Sequence, residues 1–405
     1  MTIFEERFQL IKSEKQRLIG TPNEKLAAGD GVCDRYKFPV LTASHVPLFW
    51  EYDLNPESNP FFMKRFGINA VFNAGAIKLG KKYLLVARVE GYDRKSFFAI
   101  AESTSGIDRF EFRKYPMAIP ETSEPDVNIY DMRLTAHEDG WIYGLFCTER
   151  KDPSAAAGNE SQAIAQCAIV RTRDMCRWER LPDLKTRSPQ QRNVVLHPEY
   201  INGQYAFYTR PQDSFIETGL GGGIGLGLAP YIENAQITSE VIVDPKKYHT
   251  VYESKNGQGP APIRTHLGWL HLAHGVRQTA AGLRYVLYLF MTDIRDPSKV
   301  IYKPAGYFLA PGESERVGDV SNVVFSNGWI LDDDGSVFIY YGSSDTRLHV
   351  ATTSIERLLD YITHTAPDGF TSASSRKTLT GIIDRNLSFM EAAATMESPL
   401  PGRIR

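Results

Sequence analysis

The spacing of apolar residues changes near the beginning of the chain and then stays constant over most of its length. Residues 3–19 place Phe4 and Phe8 near one helical face, with charged side chains elsewhere, which predicts an amphipathic helix. From about Lys37 to Thr353, apolar and polar residues alternate in short runs instead. Such alternation is typical of half-buried β-strands, so the chain is predicted to be mainly β.

One sequence element recurs five times within this β region. A polar turn that contains glycine precedes an alternating run of aromatic and aliphatic residues, as in Asp139-Gly140-Trp141 and Asp334-Gly335-Ser336. Asp-Gly and Asn-Gly between strand-like runs favour hairpins, because the central residues of these tight turns need positive φ. The glycines of the five turns are separated by 60, 63, 65 and 67 residues and are Gly80, Gly140, Gly203, Gly268 and Gly335.

Five hairpins at a nearly constant spacing indicate a β-propeller, in which each blade is a small sheet that cannot bury both faces alone. A β-sandwich with accidental turns is the alternative, and the even spacing disfavours it. We therefore predict an all-β fold, a five-bladed β-propeller with additional N- and C-terminal helices. In this division, residues 1–30 form an N-terminal helical extension, 31–353 the propeller and 354–405 a C-terminal helical extension.

Two segments after the fifth repeat have helical periodicity. They are residues 353–363, with Leu358 and Ile362 on one face, and residues 374–393, with Leu379 and Leu387. The apolar faces of these helices and of the N-terminal helix exceed what the rim of a closed propeller needs. We therefore expect a homo-oligomer that uses the terminal helices.

Composition and charge exclude several kinds of partner. The chain has 405 residues, 42% hydrophobic and 23% charged, as in an ordinary globular protein. Its formal net charge of -2 disfavours nucleic acid, since binding to a phosphate backbone needs a clearly basic surface. No apolar run reaches the length of about 18 residues that a membrane span requires.

Cysteines and the N-terminal residues bear on location. The four cysteines form no close pair with the spacing of metal ligands, so no metal site is predicted. No cofactor is expected either. The first ten residues carry Glu5, Glu6 and Arg7 where a signal peptide needs an apolar core. We expect free thiols and a cytoplasmic protein.

Polar and charged residues are concentrated at one end of every predicted hairpin. The start of the first strand and the end of the second lie together, opposite the turn, and a propeller brings these ends to one axis. The residues of repeats one to five at this end are Asn73, Arg88, Glu90, Asp93 and Arg94; Asp131, Arg133, Glu149 and Arg150; Asn193, His197, Arg210 and Gln212; Arg264, His274 and Arg277; and Asp319, Asn322, Asp345 and Arg347.

Asp131 is the candidate catalytic acid. It follows Ile129 and Tyr130 in a strand-like run, where aspartate is depleted and is costly to bury without a partner. A structural salt bridge would also explain it, as it would explain about half of the arginines at this end. Its position among the converging polar groups favours a catalytic carboxyl at the mouth of a cleft.

The balance of charges indicates the kind of reaction. A glycosidase divides its work between two carboxylates, whereas these repeats offer one prominent acid and several arginines. If inorganic phosphate is the nucleophile, it arrives as an anion and needs no second carboxylate as base. Arginines bind its oxygens bidentately and stay charged. The residues therefore favour a phosphorylase, with a glycoside hydrolase and a non-enzymatic sugar-binding propeller as alternatives on the same fold.

Eight runs of residues resemble glycoside hydrolase family 130, and together they extend over about residues 30–360. The runs are Asn73–Ala76, Arg88–Phe98, Asn128–Thr135, Asn193–Glu199, Tyr208–Pro211, Ala273–Val276, Gly318–Val323 and Tyr341–Asp345.

The resemblance implies a five-bladed propeller that cleaves β-1,4-mannosyl-glucose with phosphate, inverting the anomeric carbon to give α-mannose 1-phosphate and glucose. It implies that Asp131 is the general acid, with a proton that passes through the mannosyl 3-hydroxyl. Arg94, Arg150 and Arg210 would hold phosphate. The mannosyl unit would be held by Asn73, Arg88, Tyr130, His274 and Asp345.

The sugar acceptor is left open by the sequence. Glucose, longer mannosides and N-acetylglucosamine differ in groups that the outer loops would contact. Tyr92, Phe215 and residues 311–317 are the candidate loop positions, and their residue types select none of these sugars.

Overall fold

Small antiparallel sheets make up most of the structure, a computed structural model that describes residues 1–27, 29–158, 162–214, 218–219 and 222–397. There are five sheets in this part of the chain, and strands that follow one another in sequence are neighbours in nearly every sheet. This is the arrangement of a five-bladed β-propeller, so the predicted fold is confirmed.

The strands follow the order of the blades along the chain. The first strand is β1 (Asp34–Arg35). Blade one contains β2 (Ile68–Leu79), β3 (Lys82–Gly91), β4 (Ser96–Ser103) and β5 (Glu111–Phe112). Blade two contains β6 (Asn128–Ala136), β7 (Ile142–Lys151), β8 (Ala163–Thr172) and β9 (Glu179–Leu184). Blade three contains β10 (Val195–Leu196), β11 (Tyr205–Thr209), β12 (Ile224–Ala229) and β13 (Glu240–Asp244). Blade four contains β14 (Lys255–Gln258), β15 (Ile263–Arg264), β16 (Trp269–Thr279), β17 (Gly282–Thr292) and β18 (Val300–Tyr302). Blade five contains β19 (Val324–Leu331), β20 (Ser336–Ser343) and β21 (Arg347–Ser354).

The ring is closed by a strand from the beginning of the chain. Asp34 and Arg35 of β1 pair with Thr352 and Ala351 of β21, which gives blade five its fourth strand. Pairing the two ends of the propeller in one sheet ties the beginning of the propeller to its last blade.

Apolar clusters lie between successive blades. Met132 of blade two packs in the same cluster as Phe98 of blade one, and Val71 of blade one in the same cluster as Tyr340 of blade five. Further clusters join blades two and three, three and four, and four and five. Each blade thus buries both faces against its neighbours, as the repeat pattern requires.

Blade four departs from the predicted arrangement. The turn at Gly268 joins the short strand β15 to β16, whereas the long hairpin of this blade is formed by β16 and β17. His274 therefore lies in the middle of β16 and not at a strand end, as the sequence suggested. The inner position of the blade is taken by β14.

The predicted terminal helices are present. The helices are α1 (Ile3–Gly20), α2 (Leu48–Glu51), α3 (Ile355–His364) and α4 (Ser372–Glu397), with 3-10 turns at Ala43–His45 and Glu313–Arg316. No helix in the described ranges is long and apolar enough to cross a membrane. The division of the chain at residues 30 and 353 stays a prediction.

The terminal helices differ in how far they pack on the propeller. In α1, Phe4 and Phe8 contact the buried ring of Phe62, at centroid distances of 5.0 and 5.5 Å. In α3, Leu358 and Ile362 are buried. Most of the apolar side chains of α4 remain exposed, among them Leu387 and Phe389. The apolar face of α4 thus has no cover among the residues that the structure describes.

Candidate active site

A cavity of about 430 Å³ lies where the inner strands of the five blades converge. Every blade contributes to its lining. Its residues, from blade one to blade five, are Asn73, Arg88, Glu90 and Arg94; Asn128, Tyr130, Asp131 and Glu149; Arg192, Asn193 and Arg210; Lys255, His274, Leu283 and Tyr285; and Val320, Val323, Phe325 and Asp345. All of the site residues predicted from the sequence line this cavity except Arg150.

Two inner strands carry a bulge at the cavity. The register of β2 shifts between Phe72 and Gly75, and that of β6 between Tyr130 and Arg133. The bulged residues Asn73 and Asp131 have φ angles of 44° and 60°, in the left-handed region that Asn and Asp tolerate better than most residues. A bulge redirects a side chain from its place in the ladder, and here it turns both residues toward the axis.

The carboxylate of Asp131 is held from blade one. The side-chain amide of Asn73 donates to Oδ1 of Asp131 at 3.0 Å, and the Arg88 guanidinium lies 3.7 Å from the same oxygen. Gly342 allows this arrangement, since a Cβ atom there would lie 2.2 Å from Oδ1 of Asn73. The side chain of Asp131 is only 13% exposed. A single carboxyl is thus fixed at the wall of the cavity.

The side chain of Arg88 is held by hydrogen bonds and by two aromatic rings. It donates to Glu90 and to the hydroxyl of Ser96, each at 2.9 Å. Its guanidinium lies over the rings of Phe72 and Tyr130, at 4.6 and 4.9 Å. These contacts fix a cation beside the carboxyl of Asp131, where it can also donate to a bound hydroxyl group.

Among the described residues, four carboxylates line the cavity, whereas the sequence analysis singled out one acid. Glu90 pairs with Arg88, and Glu149 accepts a hydrogen bond from the hydroxyl of Tyr130. These two carboxylates are paired at the cavity wall with a guanidinium and a phenol. Asp131, at the bulge of β6, and Asp345, whose pKa is raised, are the candidates for proton transfer.

The surroundings of Asp345 shift its titration. Burial, together with the negative charge of Asp131, raises the pKa of Asp345 to about 7, against the opposing effect of Arg88. Its φ angle of 50° places it in the left-handed region at the end of the β20–β21 hairpin. Near neutral pH the side chain is therefore protonated in a substantial fraction of molecules.

This pKa gives a stability prediction for Asp345→Asn. The pKa of this group is 3.8 in the unfolded chain and about 7 in the folded chain. Between these two pH values the folded chain keeps the proton and the unfolded chain releases it, so the free energy of unfolding falls as the pH rises from 3.8 to about 7. Removing the group is expected to flatten this fall and to raise the Tm at pH 8 relative to the unsubstituted chain. Thermal unfolding from pH 4 to 8 in phosphate-free buffer measures it. The exposed Glu121→Gln variant is the control, and equal slopes for Asp345→Asn and the unsubstituted chain would contradict the prediction.

Four cationic side chains line the cavity in addition to Arg88. They are Arg94, Arg192, Arg210 and Lys255. Arg210 is 4% exposed and donates to Gln212 at 2.9 Å, and its Nε has no partner in the described part of the chain. Burial, and next the charge of Arg192, lowers the pKa of Arg210 to about 10. Cations crowded in this way are stabilised by a bound anion.

His274 and Tyr130 complete the polar lining. His274 is fully buried, and neither ring nitrogen has a hydrogen-bond partner among the described residues. Burial, and then the charges of Arg210 and Arg133, lowers its pKa, so the ring is neutral. The hydroxyl of Tyr130 accepts a hydrogen bond from Arg192 at 2.7 Å. A neutral imidazole with two unused nitrogens is suited to hydrogen bonds with sugar hydroxyls.

Arg150, predicted to bind phosphate, lies outside the cavity lining. Its guanidinium donates to Asp126 at 2.9 Å and lies 2.8 Å from Asp183. Arg180 pairs with the same two carboxylates. Arg150 thus belongs to an ion-pair network within blade two, which is the structural alternative that residue type alone left open.

Arg192 and Lys255 were missed by the sequence analysis. Lys255 begins β14, the inner strand of blade four, but the turn at Gly268 directed attention to Arg264. Arg264 instead pairs with Glu199 away from the cavity. Arg192 directly precedes Asn193, which had been noted. Aligning the fourth repeat on its inner strand would have found Lys255.

Comparisons with known proteins agree with this architecture. A family described as beta-1,4-mannooligosaccharide phosphorylase matches residues 58–364. The chain is 60% identical over 391 residues to 4-O-beta-D-mannosyl-D-glucose phosphorylase of Bacteroides fragilis, covering 96% of this chain and 100% of that protein. It is 29% identical over 330 residues to beta-1,4-mannooligosaccharide phosphorylase of Ruminococcus albus, covering 78% and 91%.

A solved structure shows the same fold. It is a beta-1,2-mannobiose phosphorylase from Listeria innocua in complex with beta-1,2-mannobiose, with a TM-score of 0.64, 19% sequence identity and coverage of 85% of this chain and 99% of that one. Since the family match at residues 58–364 includes every residue that lines the cavity, the chain belongs to glycoside hydrolase family 130.

Proposed function

We propose that this enzyme phosphorolyses 4-O-β-D-mannosyl-D-glucose with inorganic phosphate, giving α-D-mannose 1-phosphate and D-glucose. The observation that carries the proposal is the 60% identity, over the whole length of the relative, to a protein with this named activity. The cavity supports it independently, because it combines a fixed carboxyl with five cationic side chains.

The reaction breaks one bond and forms another at the anomeric carbon. The mannosyl unit lies among Asn73, Arg88, Tyr130, His274 and Asp345, whose donors and acceptors match sugar hydroxyls. Asp131 supplies the proton for the departing glucose oxygen, directly or through the mannosyl 3-hydroxyl, and then regains a proton from solvent. A phosphate oxygen attacks from the opposite face, which inverts the configuration.

Phosphate binding is assigned to Arg94, Arg192, Arg210 and Lys255. Together with Arg88, the described residues of the lining comprise five cations and four carboxylates, and Asp345 is partly neutral near pH 7. The excess positive charge favours an anionic nucleophile over water. In this scheme phosphate is a substrate, and the reaction uses no cofactor.

The experiment compares cleavage with and without phosphate. Incubation with mannosyl-glucose is expected to release glucose and mannose 1-phosphate only when phosphate is present. Equal release of glucose in both conditions would identify a mannoside hydrolase. Binding of the disaccharide with no release in either condition would identify a sugar-binding propeller.

Glucose is proposed as the acceptor on the strength of the same relative. Tyr92 is 68% exposed and its ring lies against Gly67, where a Cβ atom would be 2.1 Å from it; it follows β3 in the loop that carries Arg94. Phe215 lies outside the described residues. Reverse reactions with mannose 1-phosphate and a panel of acceptors measure the preference, and a higher kcat/KM for N-acetylglucosamine than for glucose would contradict the proposal.

The chain is further proposed to work in the cytoplasm. The support is that all four cysteines are free, with Cys33, Cys147 and Cys167 buried and Cys176 exposed. An exposed free thiol is typical of a reducing compartment.

A homo-oligomer is proposed through α4, with a second copy of this chain as the partner. Exposed apolar residues along this helix include Leu379, Ile383, Leu387 and Met390, which recur at the spacing of one helical face. Their exposure within one chain is more than a monomer usually tolerates. The aromatic residues of α1 are already used within the chain, so α1 is expected to contribute less than the sequence suggested.

Charge placed on this face is expected to lower the solution mass. The Ile383→Glu/Leu387→Glu double variant puts two like charges into the proposed contact, and light scattering measures the mass. Arg385→Glu, on the opposite side of α4, is the matched control and is expected to leave the mass unchanged. A monomeric mass for the unsubstituted chain, or an unchanged mass in the double variant, would contradict the proposal.

A further inference from the structure

Arg133 connects four blades at the propeller axis. It lies in β6 directly after the bulge at Asp131, and it is 1% exposed. Its Nε donates to the carbonyl of Gly259 in blade four at 3.1 Å, and one terminal nitrogen donates to Oδ1 of Asn193 in blade three at 2.8 Å. The guanidinium also lies 5.7 Å from the ring centroid of Phe325 in blade five.

The third hydrogen bond of Arg133 leads to the candidate acid. Its other terminal nitrogen donates to the backbone carbonyl of Asp131 at 2.7 Å. This bond spans the bulge, where Asp131 has a φ angle of 60°. A residue that is not glycine is strained in this conformation and needs support from its surroundings. Arg133 supplies that support by fixing the peptide plane that follows Asp131.

The partners of Arg133 are all neutral oxygens. Within the described part of the chain no carboxylate lies within ion-pair distance of this guanidinium, although burial of a charge is costly unless it is paired. Burial is also the main reason that its pKa is lowered. An apolar side chain here would avoid burial of the charge but would leave the carbonyls of Gly259 and Asp131 and the Oδ1 of Asn193 without this donor.

The contacts of Asp131 divide into two sets. Asn73 and Arg88 approach its carboxylate, and Arg133 holds its backbone. The direction of the carboxyl depends on the backbone as well as on the side-chain contacts, and a displacement of about 1 Å at a reacting group is enough to slow catalysis strongly.

We propose that Arg133 is a positioning residue, which holds the bulge of β6 so that Asp131 directs its proton toward the leaving oxygen. This inference rests on the proposed function, in which Asp131 is the general acid. Arg133 itself is not among the residues that line the cavity. Its contribution is therefore expected in kcat and not in the binding of either substrate.

The test compares Arg133→Met and Arg133→Lys with a matched buried arginine. Arg180, in β9 of the same blade, pairs with Asp126 and Asp183 and lies outside the cavity. Arg180→Met therefore measures the loss of a buried arginine in blade two without an effect on Asp131. Steady-state kinetics with mannosyl-glucose and phosphate, together with the Tm, are measured for all three variants.

Arg133→Met is expected to lower kcat about 100-fold and to change both KM values by less than about threefold. Arg133→Lys keeps one donor for the Asp131 carbonyl, and its kcat is expected to be at least about tenfold higher than that of Arg133→Met. Arg180→Met is expected to lower the Tm with kcat nearly unchanged. Equal kcat losses in Arg133→Met and Arg180→Met, or a phosphate KM raised more than kcat is lowered, would overturn the proposal.

A second substrate separates positioning of the acid from general damage. 4-Nitrophenyl β-mannoside has a leaving group that departs as the phenolate and needs little help from an acid. The defect of Arg133→Met relative to the unsubstituted enzyme is expected to shrink to less than about tenfold with this substrate. Equal defects with both substrates would return Arg133 to a structural role. The proposed function fails separately, if the unsubstituted enzyme cleaves mannosyl-glucose equally well without phosphate.

Discussion

The Asp131→Asn variant is expected to keep the fold and to lose phosphorolysis of mannosyl-glucose by a factor of roughly 10² to 10⁴, the usual contribution of a general acid. Asparagine is nearly isosteric with aspartate and tolerates the left-handed backbone that this position requires. Its amide oxygen also accepts the hydrogen bond from Asn73. The proton donor is the property that the substitution removes.

Kinetics and thermal unfolding together test this result. The Tm of Asp131→Asn is expected to lie within a few degrees of that of the unsubstituted chain, while kcat falls and the phosphate KM changes little. Asp345→Asn serves as the comparison, because Asp345 is the other candidate for proton transfer in the cavity. Near-normal turnover in Asp131→Asn together with a large kcat loss in Asp345→Asn would assign the acid to Asp345.

Arg210→Ala is expected to raise the requirement for phosphate far more than that for the disaccharide. A charge-assisted hydrogen bond contributes about 1.5–3 kcal/mol, so losing a two-pronged contact should cost tenfold to a thousandfold in phosphorolysis. The loss is expected in the phosphate KM, since the contacts are to one substrate only. Varying each substrate at saturation of the other measures the two requirements separately.

Thermal unfolding with and without phosphate tests the role of Arg210 without measuring turnover. Because burial and Arg192 disfavour its charge in the folded chain, its removal is expected to lower the Tm without phosphate by less than the removal of Arg150 does. Phosphate stabilises the unsubstituted chain in proportion to ln(1 + [L]/Kd), and this rise in Tm is expected to shrink in the variant. Arg150→Ala is the matched control and is expected to lower the Tm through its lost partners Asp126 and Asp183, with unchanged phosphate dependence. If instead Arg150→Ala weakens the phosphate dependence and Arg210→Ala only lowers the Tm, then Arg150 binds phosphate and Arg210 has a structural role.

Much of the fold was predictable because its signals are local. A turn such as Asp139-Gly140 depends on φ angles that neighbouring residues decide, and Gly140 and Gly335 do have φ angles of 81° and 85°. Alternation within a strand and periodicity within a helix are likewise properties of a few consecutive residues. Repeating them at even spacing was enough to predict five blades. Gly268 is the exception. Its sequence predicts a turn like those of the other repeats, but this turn joins the short strand β15 to β16 and not the two strands of the long hairpin.

The candidate site was predictable to the extent that the blades are equivalent. Residues at corresponding ends of the hairpins meet at the axis, and Asp131, Arg88 and Arg210 were found in this way. Lys255 was missed because blade four begins with an inner strand that its main turn signal does not mark.

The sequence by itself determined the alternation, the turns and the five repeats, and with them the number of blades and the axis at which polar residues meet. Only the tertiary structure decided which arginines face the cavity. Arg150 and Arg210 occupy similar places in their repeats. Asp126 and Asp183 neutralise the charge of Arg150, whereas Arg210 is buried beside other cations and can bind an anion. Ion pairs and desolvation depend on residues that are distant in the chain, so no local pattern distinguishes the two. The same holds for Arg133, whose role arises from oxygens that three blades bring to one point.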